Sequence, residues 1–275
     1  MTVKQLLLTL TLVLAIGLPK AQAQEDIIIG KRFSLHSDVL NEDRHCIISL
    51  PDSYDAEDAQ HYPVMILLDG YTHFKTTAAT VHFMSSARNR NRDMPEMIVV
   101  AIENVDRERD FTHTKIQTVR VNTMGGGPNF LNFIEQELIP YVDAHYRTEP
   151  SRILVGHSLG GLLAVNAYRD PNSMFDGYIA VDPSIWWEEA LIREKVAEVQ
   201  PSSFEKRIYI ATANQGPANQ QKNKIRHDKL FALLQEKAGD DLHMKVEYFD
   251  EEDHRSVVMV AIYQGLKYLY AEEEE

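Results

Sequence analysis

The sequence predicts an α/β domain, a mostly parallel central sheet covered by helices on both faces. Three observations carry this expectation. Short, continuous apolar runs recur along the chain: "YPVMILLDG", "MIVVAIEN", "RILVG", "GYIAVD", "RIYIATAN" and "HMKVEYF". Runs without polar alternation are what strands buried on both faces require. Helical stretches separate most of them, and strand–helix alternation is the pattern of a parallel sheet wound on both sides. Finally, 275 residues with 44% hydrophobic and 25% charged suit one sizeable core and exclude global disorder. No internal repeat, heptad pattern or proline-rich linker divides the chain, so residues 25–275 are expected to form a single domain.

Residues 1–24 stand apart. Lys4 supplies a positive start, Leu6 to Leu18 is apolar, and Ala21-Gln22-Ala23 is a small-x-small cleavage pattern. The apolar run is too short to span a bilayer, and the three features together predict a secretory signal peptide. No cysteine sits at the cleavage point for a lipid, so the mature protein is expected in the periplasm or secreted, without a stable membrane anchor. Loss of Lys4 and Lys20 takes the net charge from −13 to about −15. A surface that acidic repels phosphate backbones, which argues against nucleic acid as a partner. Cys46 is the only cysteine, so an intrachain disulfide and a multi-cysteine metal site are excluded. Within "HCIISL" it reads as a small buried hydrophobe.

The remaining elements follow in order. "FSLHSDVL" and "RHCIISL" read as an antiparallel pair joined through "NEDR", and residues 51–61 are polar and turn-rich. A helix is expected within Thr72 to Arg90, then an irregular segment from Val105 to Gly127. Pro128 fits a first helical turn. Phe130, Phe133, Ile134, Leu138, Tyr141 and Val142 follow at helical spacing, making one apolar stripe with a kink expected near Pro140. Further helices are expected at Leu159 to Arg169, Lys222 to Lys237 and Arg255 to Tyr270, and the closing "AEEEE" reads as a solvated tail.

The chemistry concentrates in "RILVGHSLGGLLA". Gly156-His157-Ser158-Leu159-Gly160 has the G-x-S-x-G spacing of a nucleophile elbow, with a strand before it and a helix after it. A sharp strand-to-helix reversal strains the serine backbone and lifts its hydroxyl to the tip. Side chains two positions away on either side are expected to collide there. A glycine-rich turn with a serine cap is the bland alternative. A phosphate loop does not fit, because no Gly-Lys-Ser/Thr ending follows. An elbow needs a histidine base late in the chain, and His254 in "EYFDEEDHRSVV" fits, lying between a strand and a helix. His227 reads as a solvated residue of a polar helix, and His157 as a packed neighbour turned away from Ser158.

The acid is less plain. The strand that commonly supplies it ends here in "YIATANQG", which offers only Asn214 and Gln215. An amide favours the wrong imidazole tautomer. The preceding strand ends in "GYIAVDPSIWW", and Asp182 is the leading candidate, with Pro183 predicting an extended backbone there. A Ser158–His254 dyad is the alternative, and Glu251, Glu252 or Asp253 are further candidates. The oxyanion donors are expected to be the amides of Leu159 and Tyr71, with Gly70 allowing close backbone approach. Trp186 and Trp187 are candidate walls of a substrate pocket, and Arg107 and Arg109 are candidates to meet an anionic substrate.

Together "LLDGYTHF", "GGGPNFLNFIEQELIPYVDAHYRTEPSRILVGHSLGGLLA", "DPSIWW" and "EEDHRSVV" resemble a family of esterases of the α/β-hydrolase fold. These are relatives of ferric-siderophore esterases and, more distantly, of S-formylglutathione hydrolase and the mycolyltransferases. The likeness runs from about Phe33 to Tyr270. It implies Ser158 as nucleophile, His254 as base, and the Leu159 and Tyr71 amides as oxyanion hole. It departs at Asn214–Gln215, where many relatives carry an acid, and at Asp182, where many carry serine. The expected function is a serine carboxylic-ester hydrolase acting on a small-molecule ester, siderophore-type esters included, without metal or organic cofactor. An acyltransferase at the same site and a non-catalytic binding protein of this fold are the alternatives.

Overall fold

A computed structural model describes residues 26–56, 59–86, 94–116, 121–199, 206–238 and 243–271. The expected signal peptide, the acidic tail and residues 117–120 of the irregular segment lie outside them. Eight strands form one sheet: β1 (Lys31–Ser37), β2 (Glu42–Ser49), β3 (Tyr62–Leu67), β4 (Ile98–Ile102), β5 (Thr148–His157), β6 (Gly177–Val181), β7 (Arg207–Ala213) and β8 (Met244–Phe249). Their order is β1-β2-β4-β3-β5-β6-β7-β8. β2 runs antiparallel to both its neighbours, and every other pairing is parallel. This is the mostly parallel, helix-covered sheet that the sequence predicts, and it is an α/β-hydrolase fold.

The helices are α1 (Gly70–Ser85), α2 (Arg107–Phe111), α3 (Gly127–Phe133), α4 (Ile139–His145), α5 (Leu159–Tyr168), α6 (Ile192–Ala197), α7 (Gln220–Ala238) and α8 (Val257–Leu269). α1 and α8 cover one face of the sheet, where Phe74, Val81, Ile262 and Leu266 pack on Leu67, Val155 and Ile179. On the other face Phe130, Phe133, Leu163 and Leu230 pack on Ile66, Leu154, Ala180 and Ile210. Alternate residues of β5 therefore serve opposite cores, which is why its sequence shows no polar period. Among the described residues no helix is long and apolar enough to cross a membrane.

Four local features differ from expectation. β1 ends at Ser37 rather than running to Leu40, because Glu137 accepts from the Ser37 hydroxyl and from the amides of Asp38 and Val39, turning the chain. The irregularity expected at Pro140 takes the form of a π-helical turn, Ile134–Leu138, between α3 and α4. Proline lacks the amide that an α-helix needs and crowds the carbonyl four residues earlier. The segment expected to be irregular contains α2, capped when Asp106 accepts from the Arg109 amide at 3.1 Å. α6 was also not expected, being only six residues long. Cys46 is fully buried as expected, and burial pushes its thiol up to about 12.

Candidate active site

β5 climbs to Gly156, and the chain reverses at Ser158 into α5. Ser158 has φ 60° and ψ −117°, a left-handed backbone that a side chain adopts only under strain. Its amide donates to Val181 O at 2.9 Å, and its carbonyl accepts from Leu162 and Ser184. A Cβ at Gly156 would lie 2.3 Å from Gly160 O, so only glycine fits. At Gly160 a Cβ would meet its neighbours at 3.4 Å or more, in ordinary contact. The second tight position is Gly161, where a Cβ would approach Pro183 Cα and Val181 O at 3.1 Å. The expected symmetry of the two bracketing glycines is therefore corrected: α5 closes on the next strand end one residue later.

Loops at the carboxyl ends of β5, β6 and β8 bring three side chains into line. His254 Nε2 lies 3.1 Å from Ser158 Oγ, and His254 Nδ1 lies 2.5 Å from Asp182 Oδ2. The Asp182 side chain is wholly buried, whereas that of His254 is 37% exposed. Asp182 Oδ1 accepts from the Ala213 amide and from Asn223 Nδ2, each at 3.2 Å, and Oδ2 also accepts from Gln215 Nε2. Burial alone pushes the Asp182 carboxyl up. The hydrogen bonds from His254 and Ala213, with the imidazole charge, outweigh burial and hold it below the usual carboxylate range. A buried carboxylate of this kind keeps the proton of His254 on Nδ1 and leaves Nε2 to accept from the serine hydroxyl.

Asp182 is not extended, as its proline neighbour predicted, but has φ 38°. The turn is held by its amide, which donates to Ala211 O at 2.8 Å, and by the four donors around its carboxylate. Those bonds outweigh the local preference set by Pro183. His227 also departs from expectation: it is fully buried rather than solvated. Its Nδ1 pairs with Thr212 Oγ1 at 2.5 Å and its Nε2 with Pro183 O at 3.2 Å, and burial lowers its pKa. Asn223 and His227 lie four residues apart on α7, so one helix face braces the Asp182–Pro183 turn. Asn214, in the position searched first for an acid, braces the other side. Its amide donates to Glu252 O and its Nδ2 to Asp250 O, each at 2.9 Å, which pins the loop carrying His254.

His157 packs as expected, and against a specific partner. Its Nε2 donates to His254 O at 2.7 Å, and the two rings lie 4.5 Å apart between centroids. Burial, then the neighbouring His254 and His73, hold the His157 pKa down to about 4. Leu159 and Tyr71 lie in the first turns of α5 and α1, where amides have no intrahelical acceptor. Gly70 approaches β4 so closely that a Cβ would lie 2.9 Å from Ile102 O. Ser184 was missed by sequence reasoning. Its hydroxyl is 3.2 Å from Ser158 Oγ and its amide donates to Ser158 O at 3.0 Å. Its only signal was adjacency to Asp182 in "DPSIWW".

The remaining predicted residues divide. Trp186 is 48% exposed, whereas Trp187 is 8% exposed and belongs to the core. Arg109 is not free for a substrate: it grips both oxygens of Glu42, at 2.6 and 2.9 Å, and bonds Asp110 at 2.7 Å. Those carboxylates also hold the buried Arg44, at 2.7 and 2.8 Å. A buried guanidinium demands paired anions, and Arg109 completes the set. Arg107 is likewise engaged, with Asp69. A cavity of about 450 Å³ between α1 and α8 is walled by His157, Arg107 and Arg255 among others, and neither Ser158 nor His254 lines it. Among the described residues no group of three or more His, Cys, Asp or Glu is arranged to hold a metal.

Residues 37–249 match the family described as "Putative esterase". The ferri-bacillibactin esterase BesA of Bacillus subtilis is 26% identical over 249 residues, covering 83% of this chain and 86% of that one. A siderophore triacetylfusarinine C esterase of Aspergillus fumigatus is 34% identical over 146 residues, 47% of each chain. Among solved structures, an IroE-like serine hydrolase from Shewanella oneidensis superposes with a TM-score of 0.76 at 32% identity, covering 88% of this chain and 80% of that one. This chain belongs to the "Putative esterase" family, and it is a carboxylic-ester hydrolase of the α/β-hydrolase fold.

Proposed function

We propose that the protein is a serine esterase that works through an acyl-enzyme on small esters, siderophore-type esters among them. The observation that carries this reading is the line Ser158 Oγ–His254 Nε2 at 3.1 Å and His254 Nδ1–Asp182 Oδ2 at 2.5 Å. Ser158 Oγ attacks the ester carbonyl while His254 Nε2 takes the hydroxyl proton. The amides of Leu159 and Tyr71 stabilise the oxyanion. As the intermediate collapses, the carbon–oxygen bond to the alcohol breaks and His254 returns the proton to the departing oxygen. Water then attacks the acyl-enzyme carbonyl, giving up a proton to His254; as the bond to Ser158 Oγ breaks, His254 returns that proton to the serine and the carboxylic acid departs.

The relatives named as siderophore esterases support that substrate class. Trp186 lies two residues beyond Ser184, a backbone span of at most about 7 Å, and offers an exposed aromatic face to an acyl or aryl group. The leader pattern supports export, with the reaction taking place in the periplasm or outside the cell. A fluorophosphonate probe tests the nucleophile: wild-type protein is expected to label, and Ser158→Ala is not. Turnover of short-chain chromogenic esters, feruloyl esters, sugar acetates and siderophore trilactones then ranks the substrates. Folded wild-type protein that neither labels nor turns over any of these esters overturns the reading.

A further inference from the structure

Arg107 occupies an unusual position, because one guanidinium meets two of the loops that build the candidate site. Its Nε and Nη2 bond the two carboxylate oxygens of Asp69 at 2.7 and 2.9 Å, and Nη2 also donates to His157 O at 3.1 Å. Asn104 Nδ2 adds a third bond to Asp69, at 2.6 Å. Asp69 is 5% exposed, has φ 55°, and begins the turn into α1 whose second residue is Tyr71. A left-handed aspartate persists only where its surroundings over-determine it, and here three donors fix the carboxylate. The His157 carbonyl belongs to the peptide that supplies the Ser158 amide. That peptide is therefore held at both ends, by Arg107 on its oxygen and by Val181 O on its nitrogen, next to the strained Ser158.

We propose that Arg107 is a positioning residue: it fixes the spacing between the Tyr71 turn and the nucleophile elbow, and with it the geometry of the oxyanion hole. The proposal rests on the serine-esterase reading. The connection reaches the base as well, because His157 donates through its side chain to His254 O. A planar fork suits this task, since it serves a carboxylate bidentately and keeps a further N–H for the carbonyl. A lysine ammonium has no such fork. Arg107 is thus committed to Asp69 and His157 and is not expected to select anionic substrates.

The test uses full-length mature protein carrying Arg107→Ala or Arg107→Lys, with 4-nitrophenyl acetate as a neutral ester and the 4-nitrophenyl monoester of succinate as an anionic one. Misplacing a reacting group by about 1 Å costs on the order of 10²-fold, so kcat is expected to fall by about that factor in Arg107→Ala. KM for both esters is expected to stay within about twofold, because ground-state binding is not touched. Ethylguanidinium is expected to restore much of the lost kcat in Arg107→Ala, whereas ethylammonium is not. Arg107→Lys is expected to remain impaired despite keeping its charge. Thermal melts establish that each variant is folded. Full kcat in a folded variant overturns the proposal, as does a loss that follows the unfolded fraction without guanidinium rescue. A rise in KM confined to the anionic ester overturns it too, assigning Arg107 to the substrate. Wild-type protein inert to both esters and to the fluorophosphonate overturns the underlying esterase reading instead, and the proposal with it.

Discussion

Replacing Asp182 by asparagine isolates the carboxylate from the shape that holds it. Two donors, the Ala213 amide and Asn223 Nδ2, meet Oδ1, and two more, His254 Nδ1 and Gln215 Nε2, meet Oδ2. An amide has one oxygen and one NH2, so whichever way it turns its NH2 confronts two donors. With the NH2 towards His254, the ring takes the tautomer protonated on Nε2, and that atom can no longer accept from Ser158. The same substitution in a serine protease costs about 10⁴-fold in kcat, or about 5 kcal/mol of transition-state stabilisation. Stability changes less. Each lost bond to the charged acceptor is worth about 1.5–3 kcal/mol, but burying a neutral amide also removes the desolvation cost of a wholly buried carboxylate. A net loss within about 3 kcal/mol lowers Tm by no more than about 10 °C in a chain of this size. Steady-state hydrolysis of 4-nitrophenyl acetate and a circular-dichroism melt read the two effects separately. A folded Asp182→Asn that keeps more than about a tenth of wild-type kcat refutes the assignment of Asp182 as the acid, and a Ser158–His254 dyad replaces it.

Two further outcomes are expected. His157 and His113 each titrate near 4, held down chiefly by burial, with His254 and His73 adding to it for His157 and Arg169 for His113. Both therefore bind fewer protons folded than unfolded between pH 4 and the ordinary histidine value of about 6.5. Stability is complete above that window and falls as pH drops through it, by about 1.4 kcal/mol per pH unit per histidine. Melts from pH 7.5 to 4.5 should show this slope and His113→Asn should reduce it; a flat wild-type curve contradicts the burial argument. Gly156→Ala places a Cβ 2.3 Å from Gly160 O, and the elbow cannot absorb it without moving Ser158. Loss of fluorophosphonate labelling is expected, and normal labelling of a soluble Gly156→Ala counts against the steric account.

The sheet, the elbow and the late histidine are legible in the linear chain. These are local facts: apolar runs buried on both faces, a G-x-S-x-G spacing between a strand and a helix, and an imidazole between the last strand and the last helix. Asp182 is nameable from its strand end, but its left-handed backbone is not. Pro183 sets only a local preference, and four donors from β7, α7 and two loops decide the turn. The same limit explains His227, which looks solvated within a polar helix until Thr212 and Pro183 O enclose it. Arg109 and Arg107 appear free in sequence because their partners Glu42 and Asp69 are remote along the chain, 67 and 38 residues away. Periodicity and spacing report which face a residue occupies and how sharply the chain turns. Which donors surround a buried charge depends on elements that meet only when the sheet assembles, and that was left to the tertiary structure.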